Sequence, residues 1–284
     1  MTRSVRVAEP IAVGAVSPAG PVTAGRPAGS NPLRDTLLVF SRAIGISVRN
    51  PVWLVMGAAQ PLLYIFLFGP LLVKFADMPG FPPGNAWQVF VPAILVLLGL
   101  FGGAFAGFGL ISEWRDGVVD RMRVTPMSRF ALLFGRVLRD VAVLLVQAVL
   151  LVLAGVLMGL RAPIGGVIVA ILIVAVMGVT MSSGGYAVAL KVKSEDALAP
   201  LVNGIMVPLM LLAGVMLPIT KGLAPDWLYY LSRCNPVVYV VEACRAAFLG
   251  DFASHQFWIG LAVAVALATV CVAWASRVFT RLSR

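Results

Sequence analysis

The stretch Ser112–Asp140, SEWRDGVVDRMRVTPMSRFALLFGRVLRD, decides how the rest of this chain is read. It holds six arginines, interleaved with Glu113, Asp116 and Asp120 and closed by Asp140, and a long apolar run lies on either side. The 284 residues are 60% hydrophobic and 12% charged, where a soluble domain carries about 25% charged residues. Charge gathered at one place in so apolar a chain marks a wet loop between membrane spans. Several runs reach the ~20 apolar residues that cross ~30 Å of hydrocarbon. The chain therefore reads as an all-α polytopic membrane protein whose core is a helix bundle.

Working outward from the loop, hydropathy predicts six transmembrane helices at about 52–73, 88–111, 132–160, 164–190, 197–219 and 257–276. Ahead of them, in residues 33–49, Arg34, Asp35, Arg42 and Arg49 share one arc of a helical wheel. Leu33, Leu37, Phe40, Ile44 and Val48 gather on the other side, which predicts an amphipathic helix lying in the membrane interface. Residues 1–32, with Pro10, Pro18, Pro21, Pro27 and Pro32, read as a disordered cytoplasmic tail. Glu9, Pro10 and Pro18 interrupt its apolar segment too soon for a signal peptide. The expected organisation is a tail (1–32), an interfacial helix (33–50) and a six-helix membrane domain (51–284).

Loop charge orients this bundle. With both termini in the cytoplasm, the inner segments hold Arg3, Arg6, Arg26, Arg34, Arg42, Arg49, the six loop arginines, Lys191, Lys193, Arg277, Arg281 and Arg284, which is 17 of the 22 basic residues. The outer segments keep Lys74, Arg161, Lys221, Arg233 and Arg245. That asymmetry follows the positive-inside rule, and it accounts for the net charge of +10 without nucleic acid. The location expected is the cell membrane.

Several chemistries are missing from the sequence. There is no G-x-x-x-x-G-K-[ST] phosphate loop, no HExxH, and no metal spacing among Cys234, Cys244, Cys271 and the single histidine, His255. Neither an enzyme nor a metal site is expected. Cys234 and Cys244 are either a disulfide or free thiols. Ion-coupled carriers place acids or histidines within their spans. Here Asp140 sits near the inner end of the third span beside Arg136 and Arg139, which neutralise it, and Gln60, Gln147 and Asn203 are the main polar side chains at depth. A transporter built this way draws its energy from another subunit. An ion-coupled secondary carrier and a non-transporting assembly protein are the competing classes.

The spans carry packing signals. Gly99, Gly103 and Gly107 form GxxxGxxxG in the second span, and Gly155 and Gly159 a shorter version in the third. Either close packing within one bundle or a dimer seam would use them. Pro61, Pro92 and Pro208 each remove a backbone bond and kink a span. Within the loop, Ile111, Trp114, Val118, Val119 and Met122 recur at helical spacing, with charges of both signs between them. Thr125-Pro126 stops that helix, and Ser128 is placed to cap the next one. A short helix with an apolar stripe and mixed charge suits a cleft on a cytosolic partner. The outer segment 220–256 holds Val237–Phe248, apolar with a helical period but too short to span. Glu242 and Arg245, at i and i+3, are expected to neutralise one another there. Short helices dipping into the outer leaflet and an ordinary helical cap both fit that pattern.

Three motifs, in order, resemble one family. Glu113-Trp-Arg-Asp-Gly117 followed by Asp120-Arg-Met-Arg-Val-Thr-Pro126 is similar to the E-x-x-x-G and E-R-x-x-x-T-P segment of ABC-2 type permeases. Pro208-Leu-Met-Leu-Leu-Ala-Gly-Val-Met-Leu-Pro218 resembles that family's fifth span, and Asn235-Pro236 through Glu242 and Arg245 resembles its N-P-x-x-x-x-x-E-x-x-R segment. Asp120 and Ala213 stand where the family usually has glutamate and serine. The likeness covers about residues 33–284 and is greatest to the daunorubicin/doxorubicin-resistance branch. It implies the type V exporter-like fold: six spans, an N-terminal interfacial helix (Arg34, Arg42, Arg49) and short outer-loop helices (Asn235, Pro236, Glu242, Arg245). It further implies a dimer of permeases, homo- or heteromeric, driven by two separate ATPase subunits that bind ATP and Mg, so that this chain needs no cofactor. The coupling residues it implies are Glu113, Arg115, Asp116, Gly117, Asp120, Arg121, Arg123, Thr125 and Pro126. The activity implied is efflux of a drug, antibiotic or lipid-like substrate.

Overall fold

The computed structural model describes residues 32–49, 51–75, 84–115, 129–215 and 218–281, and among them the regular structure is all α-helical. The helices are α1 (Pro32–Arg49), α2 (Pro51–Phe75), α3 (Ala86–Ala104), α4 (Ala106–Arg115), α5 (Arg129–Leu157), α6 (Ile164–Val192), α7 (Glu195–Leu212), α8 (Asp226–Arg233), α9 (Pro236–Leu249) and α10 (His255–Arg281). Five stretches are long and apolar enough to cross a membrane: Ala86–Glu113, which joins α3 to α4, then Leu133–Leu157, Ile164–Val192, Glu195–Leu212 and His255–Arg281. α2 adds a 25-residue helix with an apolar stretch over Val55–Leu71.

The bundle is organised around α6, which packs against α3, α4, α5, α9 and α10. Small residues make this possible, since helices in lipid associate through close backbone contact rather than through a hydrophobic drive. Gly99 faces Val174 and Met177 of α6, and Gly103 faces Met181 and Ser182. A Cβ on Gly107 would stand 2.7 Å from the Gly185 carbonyl oxygen, and one on Gly185 would stand 2.8 Å from that of Ala104. The GxxxGxxxG stripe thus packs inside one chain. At the far end, Gly166 lies under the Ala247 carbonyl and Gly260 under that of Tyr239, which lets α6 and α10 reach α9.

Burial is uneven. In α3 the apolar window is 78% buried, against 17% in α10 and 11% in α7. α3 is therefore the core helix, and α7 lies against the bundle with most of its surface outward. Proline is tolerated inside α2 (Pro61, Pro70), α3 (Pro92) and α7 (Pro200, Pro208), as neighbouring helices absorb the freed backbone groups. The second span is jointed at Phe105 (φ −78°, ψ −7°), two residues after Gly103. α7 ends at Leu212, and Gly214 turns the chain at φ +64°, a left-handed conformation that suits glycine.

α1 lies along α5. A Cβ on Gly135 would meet Val39 at 2.7 Å and the Thr36 carbonyl at 3.0 Å, so glycine at this point allows the approach. Arg34, Leu37, Leu38 and Arg42 of α1 point outward, while Phe40 and Ile44 are half-buried.

Candidate functional site

Polar side chains inside an apolar bundle need partners, since a bare buried charge is costly. The paired charges gather at its two ends, while Gln147, Thr180, Ser182 and Ser183 are buried between them.

At the end where α4 stops and α5 begins, acids and bases pair across helices. Glu113 of α4 forms an ion pair with the buried Arg136 of α5. Arg115 of α4 meets Glu195, in the first turn of α7, at 3.4 Å. On α5, Arg139 donates to Asp140 at 2.9 Å. The Tyr186 hydroxyl of α6, fully enclosed, donates to the other Asp140 oxygen at 2.5 Å. The Lys191 ammonium lies 5.2 Å from the centre of the Trp274 ring, linking α6 to α10. Asp140 is thus an ion-paired structural charge. The sequence points to Arg139 as its neighbour, but Tyr186 is 46 residues away in an apolar run that carries no sign of it.

At the opposite end the acceptors are mostly main-chain carbonyls. Asn235 caps α9 by accepting from the Val237 N–H at 2.9 Å, and its amide donates to the Leu209 carbonyl of α7 at 2.7 Å. Pro236 follows as the first residue of α9, where its missing N–H costs nothing. Arg245 donates through Nε to the Val89 carbonyl of α3 at 3.0 Å and through Nη2 to the Gly214 carbonyl at 2.9 Å. Glu242 binds Arg233 of α8 at 2.6 Å. Glu242 gives its direct hydrogen bond to Arg233 and acts on Arg245 only through space, while the Arg245 N–H groups turn inward to the backbone. The physical reason is the carbonyl at the end of α7, which has no intrahelical donor and draws the guanidinium. Arg233 also lies 5.0 Å from the centre of the Tyr229 ring, and the Glu242 hydrogen bond raises its pKa above the ordinary arginine value. Gln88, paired with Asn85 in a capping box, donates to the Arg161 carbonyl at 2.5 Å and ties α3 to the turn between α5 and α6.

The remaining predicted residues divide cleanly. Asp116, Gly117, Asp120, Arg121, Arg123, Thr125 and Pro126, with Ser128, lie outside the described residues, as does the tail 1–31. Arg34, Arg42 and Arg49 all lie on α1. Cys234, Cys244 and Cys271 are free thiols. Among the described residues no group of three or more His, Cys, Asp and Glu is placed to hold a metal.

A family model described as ABC-2 type transporter matches residues 34–249. Over 252 residues the chain is 27% identical to the daunorubicin resistance ABC transporter permease protein DrrB1 of Streptomyces coeruleorubidus, covering 87% of this chain and 86% of that one. It is also 27% identical over 213 residues to the putative transport permease ycf38 of Cyanophora paradoxa, covering 74% and 71% of the two chains. With its apolar helices and a match running from α1 to the end of α9, the chain belongs to the ABC-2 type transporter family.

Proposed function

We propose that this permease is the membrane subunit of an ATP-driven exporter, powered by a separate soluble ATPase that binds the ATP and Mg. The observation that carries the reading is the near-full-length likeness to a drug-resistance ABC permease. Two permease copies, or this chain with a homologous permease, form the pathway. α2 is the sixth span, since 25 residues rise about 37 Å as a helix. Both termini lie in the cytoplasm, and α8 and α9 lie at the outer mouth. The segment around Glu113–Pro126 and the interfacial helix α1 receive the ATPases, whose closure on ATP re-orients the bundle. A pathway bordered by Phe, Met, Leu and Gly favours a hydrophobic or amphipathic cargo, a drug or a lipid-like molecule.

The ion-coupled alternative is weaker because Asp140, the acid set deepest among the described helices, is already committed to Arg139 and Tyr186. The test is co-expression with a candidate soluble ABC ATPase, followed by transport in inside-out vesicles with daunorubicin as the probe. Co-purification and ATP-dependent uptake that persists after the ion gradients are collapsed are expected. Uptake that follows an ion gradient without ATP overturns the reading in favour of a carrier.

A further inference from the structure

We propose that Lys191, Arg277 and Arg281, gathered around Trp274, bind the headgroup of an anionic phospholipid in the leaflet where α6 and α10 end. The inference goes beyond the export reading and needs only that α10 crosses a bilayer. The depth of the site follows from α10 itself. Trp258 stands near one end of that helix, exposed and edge-on to Phe257, and Trp274 near the other. The step from Trp258 to Trp274 rises about 24 Å in a helix, close to the ~30 Å of hydrocarbon. Tryptophan collects at both membrane interfaces, so Arg277 and Arg281, one and two turns beyond Trp274, come to phosphate depth. The face follows from periodicity. Ala266, Val270, Ala273, Arg277 and Arg281 recur at three- and four-residue steps, and all are exposed. The outward stripe of α10 thus runs without a break from small apolar residues into two guanidinium groups. An acyl chain lying on Ala266, Val270 and Ala273 brings its phosphate to Arg277 and Arg281. The patch therefore lies on the flank of the bundle and continues a surface that faces lipid. Lys191 adds a third cation from the last turn of α6, its ammonium 5.2 Å from the centre of the Trp274 ring. Among the described residues none of the three is ion-paired, whereas Glu113, Asp140 and Glu195 at this end are taken by other arginines. Arg281, in the last turn, answers the partial negative charge at the end of α10. Arg277, a turn further in, and Lys191, held over a ring, are left for an anion from outside the chain.

The experiment uses the full chain in detergent, titrated with phosphatidylglycerol or phosphatidylcholine, with retained lipid counted by native mass spectrometry. Phosphatidylglycerol should be preferred, by about fivefold for each cation. The triple variant Lys191→Gln, Arg277→Gln, Arg281→Gln should lose most of that preference. Exchanging the cations (Lys191→Arg, Arg277→Lys, Arg281→Lys) should keep it. Should the triple variant not fold, the three single glutamine variants are read instead, each losing about fivefold, and no loss in any of them overturns the site. Phosphatidylglycerol with a nitroxide high on its acyl chain locates the lipid. It should quench the part of the emission that Trp274→Phe removes, in the wild type but not in the triple variant. Excess inorganic phosphate should leave the lipid bound, since the acyl chain contributes; displacement by phosphate would reveal a free-anion site and overturn the lipid assignment. An unchanged lipid preference in the triple variant overturns the site outright. If that unchanged preference comes with weaker binding of a soluble ATPase or weaker self-association, the patch belongs to that partner instead. A chain that binds no ATPase at all defeats the export reading alone, because the lipid measurements need none.

Discussion

The two ends of the bundle are polar in different ways. At the end formed by α8 and α9, long side chains mostly reach main-chain carbonyls: Arg245 to Val89 and Gly214, Asn235 to Leu209, Gln88 to Arg161, with the Arg233–Glu242 pair the exception. At the end where α4 meets α5, side chains pair with side chains: Glu113 with Arg136, Arg139 with Asp140, Arg115 with Glu195. A carbonyl acceptor is present whatever residue carries it, so the first arrangement depends on the shape of one donor. The second depends on two partners whose charges can be exchanged. The first suits a fixed clamp on helix ends. The second can be re-made by exchanging the two charges.

The largest effect should come from breaking the clamp. Replacing Arg245 with Met removes two charge-assisted hydrogen bonds and leaves the Gly214 carbonyl at the end of α7 without its donor. About 3 kcal/mol of stability should be lost, read as a lower unfolding midpoint in a fixed lipid–detergent mixture. Lysine keeps the charge but lacks the planar fork that spans two carbonyls. Arg245→Lys should therefore recover less than half of the loss. Full recovery by lysine would show that charge alone matters and would erase the contrast between the two ends.

A middle-sized effect tests the buried part of the ion-pair end. Tyr186→Phe deletes a hydroxyl that donates to a carboxylate inside the bundle, and should cost about 2 kcal/mol. In a double-mutant cycle with Asp140→Asn the two losses should be strongly non-additive, as expected for groups in one network. Additive losses would mean that Tyr186 stabilises by packing and that Asp140 depends on Arg139 alone.

How far the sequence could be read follows from the range of each interaction. The all-helical membrane class is legible because it is carried by runs of apolar residues, and Asp140 beside Arg139 is legible because the two are neighbours. The spacing rule fails at Glu242, where i, i+3 pairing with Arg245 is outweighed by Arg233 from another helix and by an unsatisfied helix end. The end of α7 is also hidden. The residues on both sides of Gly214 are apolar, so hydropathy runs on while the backbone turns at φ +64°. The joint at Phe105 lies inside an equally continuous apolar run. The GxxxGxxxG stripe announces close contact but does not name the partner, which proves to be α6. What stays invisible in each case is a contact set by three-dimensional packing between residues far apart in sequence.

The smallest effect bears on α7. Its Arg115–Glu195 tie is 3.4 Å long with side chains 57% and 35% exposed, so water and salt screen it. Arg115→Ala should cost no more than about 1 kcal/mol, and the cost should shrink at high salt, whereas the Tyr186→Phe loss should not. Yet α7 buries little apolar surface, so polar ties at its ends do more of the holding than they do for α3. A weak tie at Glu195 and a strong clamp at Leu209 and Gly214 make the α4-proximal end of α7 the first to loosen. Amide exchange should then be faster over the first turns of α7 than over its last, and Arg115→Ala should widen that difference without changing exchange in α3. Uniform exchange along α7 would mean that its few packing contacts, and not the polar ties, hold it in place.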